Sequence, residues 1–297
     1  MKILILGAGG MLGHKLYQVL TRICEVTGTI RGPYSDIAKY NFFEPTRIIP
    51  HVDVREISHV ERAIKEVIPD VVINCVGIVK SLEKERGMLL SIWLNSLFPH
   101  QLYQICRARG TRLIHVSTDC VFSGERGNYR EEDHSDAKDI YGKTKYLGEV
   151  NEPEALTIRT SFIGRELSSG NGLLEWFLAN EGSSIRGYTN AIFSGFTSLH
   201  LARIISDIIT KHQKLSGVYH ISSEPISKFE LLSLIKKAMG LSIEIEQYPD
   251  FRCNRSLDSA RYRNATSFTP LPWNEMVNEL AQDAGQYLRW REDDFSR

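Results

Sequence analysis

The stretch Lys2-Ile3-Leu4-Ile5-Leu6-Gly7-Ala8-Gly9-Gly10-Met11-Leu12-Gly13 decides the fold. Lys2–Leu6 reads as a strand, and residues 11–21 read as a helix. Between them Gly7, Gly10 and Gly13 are spaced as Gly-x-x-Gly-x-x-Gly. A strand that turns this tightly into a helix needs residues without side chains. The same lack of side chains lets a pyrophosphate approach the helix N-terminus, where amides and the helix dipole attract an anion. The Gly-x-Gly-x-x-Gly variant fails because Leu12 takes its third glycine position, and no Gly-Lys-Ser/Thr follows to make a Walker A loop. Taken alone, the spacing also suits a plain strand-to-helix turn.

Outward from this turn, apolar runs alternate with helical periodicity. Residues 25–30, 71–75, 112–117 and 156–160 read as strands. Residues 57–67, 86–109 and 140–150 read as helices, the second broken or bent near Pro99. The continuous run Val71-Val72-Ile73 suits a strand covered on both faces, as in a parallel sheet. Strand and helix in alternation imply right-handed βαβ units and a doubly wound α/β fold. Beyond residue 165 the alternation loosens. Residues 168–172 read as a loop, 199–209, 228–239 and 273–288 as helices, and 218–222 and 244–247 as strands. The expected organisation is a dinucleotide-binding domain of residues 1–165 with 198–222, and a smaller α/β lobe of residues 166–197 with 223–297.

Composition narrows the function. The 297 residues suffice for two ordinary domains. Lys+Arg and Asp+Glu each total 36, so the basic surplus expected of a nucleic-acid binder is missing. The longest dense apolar stretch, residues 88–94, is far short of the ~18 needed to span a membrane. Residues 1–6 resemble the start of a signal peptide but are cut off at Gly7. Five cysteines, odd in number and without a Cys-x-x-Cys, argue against a disulfide framework or zinc site and fit a reducing cytoplasm. The expectation is a cytoplasmic protein with no nucleic-acid partner and no membrane insertion.

Two further clusters carry chemistry. Tyr141 and Lys145 share one face of the predicted helix 140–150. A nearby ammonium favours phenolate, which suits a tyrosine to proton transfer nearer neutral pH. Before it, the strand 112–117 runs into Thr118-Asp119-Cys120. Carboxyl ends of parallel strands are where such sheets place ligands, so Thr118 offers a hydroxyl there. At the end of the second strand an acid would bind an adenosine ribose 2′-hydroxyl. Here Arg31 stands instead and suits a 2′-phosphate, so the cofactor reads as NADP(H) rather than NAD(H).

Taken together, these segments resemble an extended short-chain dehydrogenase/reductase, most similar to the dTDP-4-dehydrorhamnose reductase group. The resemblance rests on the glycine turn, Pro69-Asp70-Val71-Val72-Ile73-Asn74-Cys75, and Val116-Ser117-Thr118-Asp119-Cys120-Val121-Phe122-Ser123-Gly124. Tyr141-Gly142-Lys143-Thr144-Lys145, Arg159-Thr160-Ser161 and Gly217-Val218-Tyr219-His220-Ile221 continue it. It implies a Rossmann domain, a nucleotide-sugar-binding second lobe, and NADPH-dependent reduction of a nucleotide-linked 4-keto-6-deoxy sugar for surface polysaccharide. By the same resemblance Tyr141 protonates the oxygen at carbon 4, Lys145 holds the nicotinamide ribose, and Thr118 orients the substrate oxygen. Gly7, Gly10, Met11, Leu12 and Gly13 would hold the pyrophosphate, and Asp53 and Val54 the adenine side. Cys75, Val76 and Gly77 would turn over the cofactor, with Thr160 near the carboxamide.

Departures from the pattern matter as well. Sugar-nucleotide dehydratases carry a glutamate where this chain has Cys120, which argues against dehydration. A cysteine here resembles GDP-fucose-synthase-like enzymes, so an epimerase–reductase stays open, as do a 4-epimerase and a non-catalytic NADP-binding regulatory subunit. Some relatives dimerise through a magnesium site, but Lys15 stands where a glutamate would be needed, so no metal is expected. A homodimer stays open. Asp119 and Cys120 at the strand end, with Phe193, Arg252 and Arg255 in the second lobe, are the candidate substrate contacts, the two arginines as forks for a diphosphate. Trp176, Trp273 and Trp290 read as core or interface residues.

Overall fold

The computed structural model describes residues 1–79, 87–168 and 170–295. Arg86, at the start of one expected helix, and Ser169, in the expected loop, lie outside the described residues. The chain divides into two compact units.

The first unit comprises Met1–Ser117, Asp139–Ile158 and Leu201–Val218. Its strands are β1 (Lys2–Leu6), β2 (Glu25–Thr29), β3 (Ile48–Ile49), β4 (Val71–Asn74), β5 (Arg112–Val116), β6 (Ala155–Arg159) and β10 (Gly217–His220). They form one seven-stranded sheet in the order β10-β6-β5-β4-β1-β2-β3. β1 pairs in parallel with β2, Lys2 opposite Glu25, and with β4, Ile3 opposite Val71. The chain winds outward from β1 through β2 and β3, then returns to β4 on the other side. That reversal is the switch point of a doubly wound Rossmann sheet, where loops at the carboxyl ends of neighbouring strands part. Ile3 to Leu6, Val72 and Ile73 have no exposed surface. On one face Leu4, Leu6, Val72, Phe98, Leu102 and Leu113 form a common core.

The helices of this unit include α1 (Met11–Leu20), α2 (Ile57–Val67), α3 (Met88–Ile92), α4 (Phe98–Arg107), α5 (Ile140–Leu147) and α7 (Ser198–Lys211). The expected bend near Pro99 takes the form of a π-helical turn, Trp93–Leu97, between α3 and α4. Proline cannot donate to the carbonyl four residues back, here that of Asn95, and its ring crowds it. That carbonyl lies against α5 instead. A methyl group on Gly148 would fall 1.8 Å from it.

The second unit comprises Thr118–Lys138, Arg159–His200 and Tyr219–Arg297. Its three-stranded sheet has the order β11-β8-β12, with β8 (Ser184–Phe193) central between β11 (Ile226–Ser227) and β12 (Glu244–Asn254). A two-stranded sheet joins β7 (Phe162–Ile163) to β9 (Phe196–Thr197). Around these lie α6 (Leu173–Leu178), α8 (Lys228–Met239), α9 (Ala260–Thr266) and α10 (Trp273–Phe295). Helix α8 begins with a capping box: Ser227 Oγ accepts the Glu230 N–H while the Glu230 carboxylate accepts that of Ser227.

Two differences from the sequence reading bear on the site. Residues 118–138 belong to the second unit. Val121, Phe122, Tyr129 and Leu257 form a buried cluster there, and the Asn128 N–H donates to Ser256 Oγ at 2.8 Å. Strand β8 has no counterpart in the sequence analysis, since Gly187 and Asn190 disfavour a strand. Gly187 is there because the approach is close: a methyl group at that position would lie 2.6 Å from Ile245 and 2.7 Å from Phe229.

Candidate active site

In the first unit, the glycine turn is shaped by contact. Gly7 has φ 81°, a left-handed conformation that favours glycine. A methyl group on Gly13 would fall 2.1 Å from the Gly7 carbonyl oxygen, so only glycine lets α1 start this close to β1. The Gly10 N–H donates to Gly7 O at 3.1 Å, and Gly10 caps α1 with no side chain, leaving its N-terminus open. Met11 is half-buried at the first helical position and Leu12 is buried in the core. This is a cradle that fits a dinucleotide pyrophosphate.

Neighbouring turns are held by buried amides. Asn74 Oδ1 accepts the Val76 N–H at 3.0 Å, while its Nδ2 donates to His115 Nδ1 at 3.1 Å. Asn95, aimed by the π turn, accepts the Ile78 N–H through Oδ1 at 2.9 Å and donates through Nδ2 to Ile78 O and Thr144 Oγ1. It thus ties the turn Cys75-Val76-Gly77 to α5. Burial pushes the Cys75 thiol up to about 12, so it stays protonated. Arg31 is exposed after β2. Asp53 accepts the Arg55 guanidinium and backbone N–H, which holds its carboxyl below the usual range, and Val54 beside it is buried.

Helix α5 starts at the N-cap Asp139, whose carboxylate accepts the Gly142 N–H at 2.8 Å. The cap sets Tyr141 and Lys145 on successive turns. Lys145 is buried, and its Nζ donates to Val116 O at 2.7 Å, at the end of β5. Burial draws its pKa down to about 8, with Glu149 and Cys75 opposing. Tyr141 is half-buried.

The second unit holds a cavity of about 320 Å³. Asp119, Cys120, Phe193, Lys228, Cys253 and Arg255 line one part of it. Thr118 Oγ1 accepts the Cys120 N–H at 3.1 Å and donates to Asp119 Oδ1 at 3.3 Å. Asp119 is buried, which raises its pKa, while Arg255 and Lys228 oppose the rise. The Lys228 Nζ lies 4.1 Å from the Phe193 ring centroid. Trp176, Arg186, Tyr188 and Phe251 are also among the lining residues, and Tyr188 and Phe251 pack with ring centroids 5.0 Å apart.

The structure therefore brings together Asp119, Cys120, Phe193 and Arg255 in one cavity. It groups the glycine turn, Cys75 to Gly77 and Lys145 in the other unit. Thr160 is buried beside this cavity's strand end, its carbonyl accepting the Asp119 N–H at 3.2 Å. Arg252 is exposed and not among the lining residues. On β12 side chains alternate, so Phe251 and Cys253 face the cavity and Arg252 does not. Arg255 lines the cavity but donates to Phe122 O at 2.8 Å and Ser123 O at 3.1 Å. Trp273 and Trp290 are buried, whereas Trp176 lines the cavity. Sequence reasoning missed Lys228, Arg186 and Asn95. Asn95 alone left a trace, a polar residue within an apolar helix just before Pro99.

No group of three or more His, Cys, Asp or Glu among the described residues is arranged to hold a metal ion. Lys15 is buried, with its Nζ donating to Gln18 Oε1 at 2.9 Å. No helix among the described residues is long and apolar enough to cross a membrane.

A glycine cradle at the switch point and a buried lysine one turn after a tyrosine, on the helix following β5, define an extended short-chain dehydrogenase/reductase. Within that class the chain belongs to the RmlD substrate binding domain family, matched over residues 1–285. It is 26% identical over 298 residues to the spore coat polysaccharide biosynthesis protein SpsK of Bacillus subtilis, covering 95% of this chain and 97% of that one. It is 25% identical over 305 residues to a dTDP-4-dehydrorhamnose reductase of Aggregatibacter actinomycetemcomitans, covering 94% and 98%. A hypothetical dTDP-4-dehydrorhamnose reductase from Sulfolobus tokodaii has a similar solved structure, with a TM-score of 0.74, 26% identity, and coverage of 92% and 98%.

Proposed function

We propose that this protein reduces the keto group at carbon 4 of a nucleotide-linked 4-keto-6-deoxy sugar, using NADP(H), in the supply of sugars for a surface polysaccharide. One observation carries the reading: a buried Lys145, its pKa drawn to about 8, one helical turn from Tyr141. A buried ammonium with a lowered pKa, one helical turn from a tyrosine, is the kind of perturbed pair that active sites use for proton transfer. A bound nicotinamide dinucleotide supplies the hydride.

The chain's own residues do the rest. The turn Gly7 to Gly13 receives the pyrophosphate at the α1 N-terminus, with Cys75, Val76 and Gly77 alongside. Asp53 and Val54 serve the adenine side, and Thr160 the carboxamide side. Lys145 has three donors, of which one goes to Val116 O, so others serve the nicotinamide ribose. Tyr141 gives its phenolic proton to the oxygen at carbon 4, and Thr118 holds that oxygen. Exposed Arg31 pairs with the 2′-phosphate, which favours NADP(H) over NAD(H). The aromatic and cationic walls of the second unit's cavity suit a nucleotide-linked sugar.

The test is NADPH oxidation against a panel of nucleotide 4-keto-6-deoxy sugars. At least one should be reduced. Tyr141→Phe should then lower kcat ~10²–10⁴-fold with NADPH affinity nearly intact. A wild type that reduces none of them while binding NADPH would overturn the proposal in favour of a regulatory cofactor-binding protein.

A further inference from the structure

We propose that Lys228 is a specificity residue whose ammonium receives an oxygen of an anionic group on the ligand bound in the second unit's cavity. The inference rests on that cavity being the substrate site.

Lys228 is the first residue of α8, directly after the capping Ser227, so the helix start sets its direction. It lines the cavity, with its Nζ 4.1 Å from the Phe193 ring centroid. Its ammonium makes no hydrogen bond with a described residue. An ammonium carries three donors, and a ring face accepts none of them in the ordinary sense. The charged and titratable groups that act on it are Asp119, Cys120, Cys253 and Arg255. Among the cavity-lining residues Asp119 is the one carboxylate, against Arg186, Lys228 and Arg255. Arg255 already donates to the carbonyls of Phe122 and Ser123. Burial draws the Lys228 pKa down to about 8, which leaves it charged at neutral pH and short of acceptors. An anionic oxygen would supply both the acceptor and the missing negative charge.

Two parts of a nucleotide-linked sugar carry such oxygens: the diphosphate, and a carboxylate on the sugar ring. Binding would be measured by calorimetry at neutral pH with inorganic pyrophosphate, UDP, dTDP, and the glucose and glucuronate conjugates of both nucleotides. The proteins are wild type, Lys228→Met and Lys228→Arg, with Lys228→Gln replacing the methionine variant if that does not fold. Lys228→Met should weaken binding about tenfold or more, the weight of one charge-assisted hydrogen bond, while Lys228→Arg stays within about threefold. A loss shared by UDP and dTDP assigns the diphosphate, and a loss confined to the glucuronates assigns a ring carboxylate. If Lys228→Met binds every probe within about threefold of wild type, or if wild type binds none, the assignment is overturned. The reductase assay is separate. An enzyme that reduces a keto sugar yet ignores the Lys228 substitution overturns only this inference. Lys228-dependent anion binding without any reduction overturns only the proposed activity.

Discussion

Replacing Lys145 by methionine should remove activity while leaving the fold as stable or more so. The residue is 5% exposed, and burial has moved its pKa from 10.5 to about 8. At ~1.36 kcal/mol per pH unit, that gap is roughly 3 kcal/mol of penalty on the charged form. Below pH 8 both folded and unfolded chains hold the proton, so the penalty is present in full. Between about 8 and 10.5 the unfolded chain binds the proton more tightly, so the folded state gains stability as pH rises. Methionine carries no such penalty and fills a similar space. It does forfeit the bond from Nζ to Val116 O, which offsets on the order of 1–2 kcal/mol. At pH 7 the variant should therefore match wild type or exceed it by ~1–2 kcal/mol. By pH 10 wild type should have gained ~2–3 kcal/mol on the variant. Urea unfolding of both proteins at pH 7 and pH 10 reads this directly, because every other titrating group is shared and cancels in the difference. Turnover of the variant should drop at both pH values. A variant destabilised by more than ~1 kcal/mol at pH 7, with the same difference at pH 10, would refute the burial argument.

Arg31→Ala should weaken NADPH by ~1.5–3 kcal/mol and leave NADH nearly unchanged, as read by fluorescence titration; equal losses would mean Arg31 does not meet the 2′-phosphate. In the second unit Arg165 Nε donates to Glu175 Oε1 at 2.8 Å, both side chains 3% exposed, and the Glu166 N–H donates to the same oxygen. Glu175→Ala would strand the guanidinium and should cost ~3–5 kcal/mol in denaturant unfolding, with Glu175→Gln milder. His220 is held neutral, its pKa drawn to about 3 by burial and by Arg159, with Nδ1 donating to Tyr129 O and Nε2 accepting from Arg159. Its folded pKa lies below the unfolded 6.5, so its stability is present above pH 6.5 and falls by up to ~1.4 kcal/mol per pH unit toward pH 3. His220→Asn should show a shallower acid slope in a pH series of thermal unfolding.

Local signals made much of the first unit legible. Lys2–Leu6 and the three glycines after it read as strand and turn because each constraint lies within a dozen residues. Tyr141 and Lys145 were found because one helical turn relates them in sequence as in space. Asn95 escaped because its role depends on a π turn that no spacing rule marks. In the second unit the signals were weaker. β8 was hidden by Gly187, whose place is set by Ile245 and Phe229 across the sheet and on α8. Arg252 and Arg255 stood out as a basic pair, yet strand alternation turns Arg252 away and backbone carbonyls engage Arg255.

The sequence by itself determined the doubly wound sheet, the glycine cradle and the Tyr–Lys pair, all set by short-range periodicity and steric need. Only the tertiary structure decided that Lys228 shares a cavity with Asp119, more than a hundred residues earlier in the chain. It also decided that Lys145 is stripped of water. Burial and juxtaposition arise from packing between distant segments, and a pKa follows from that surrounding rather than from the residue's neighbours in sequence.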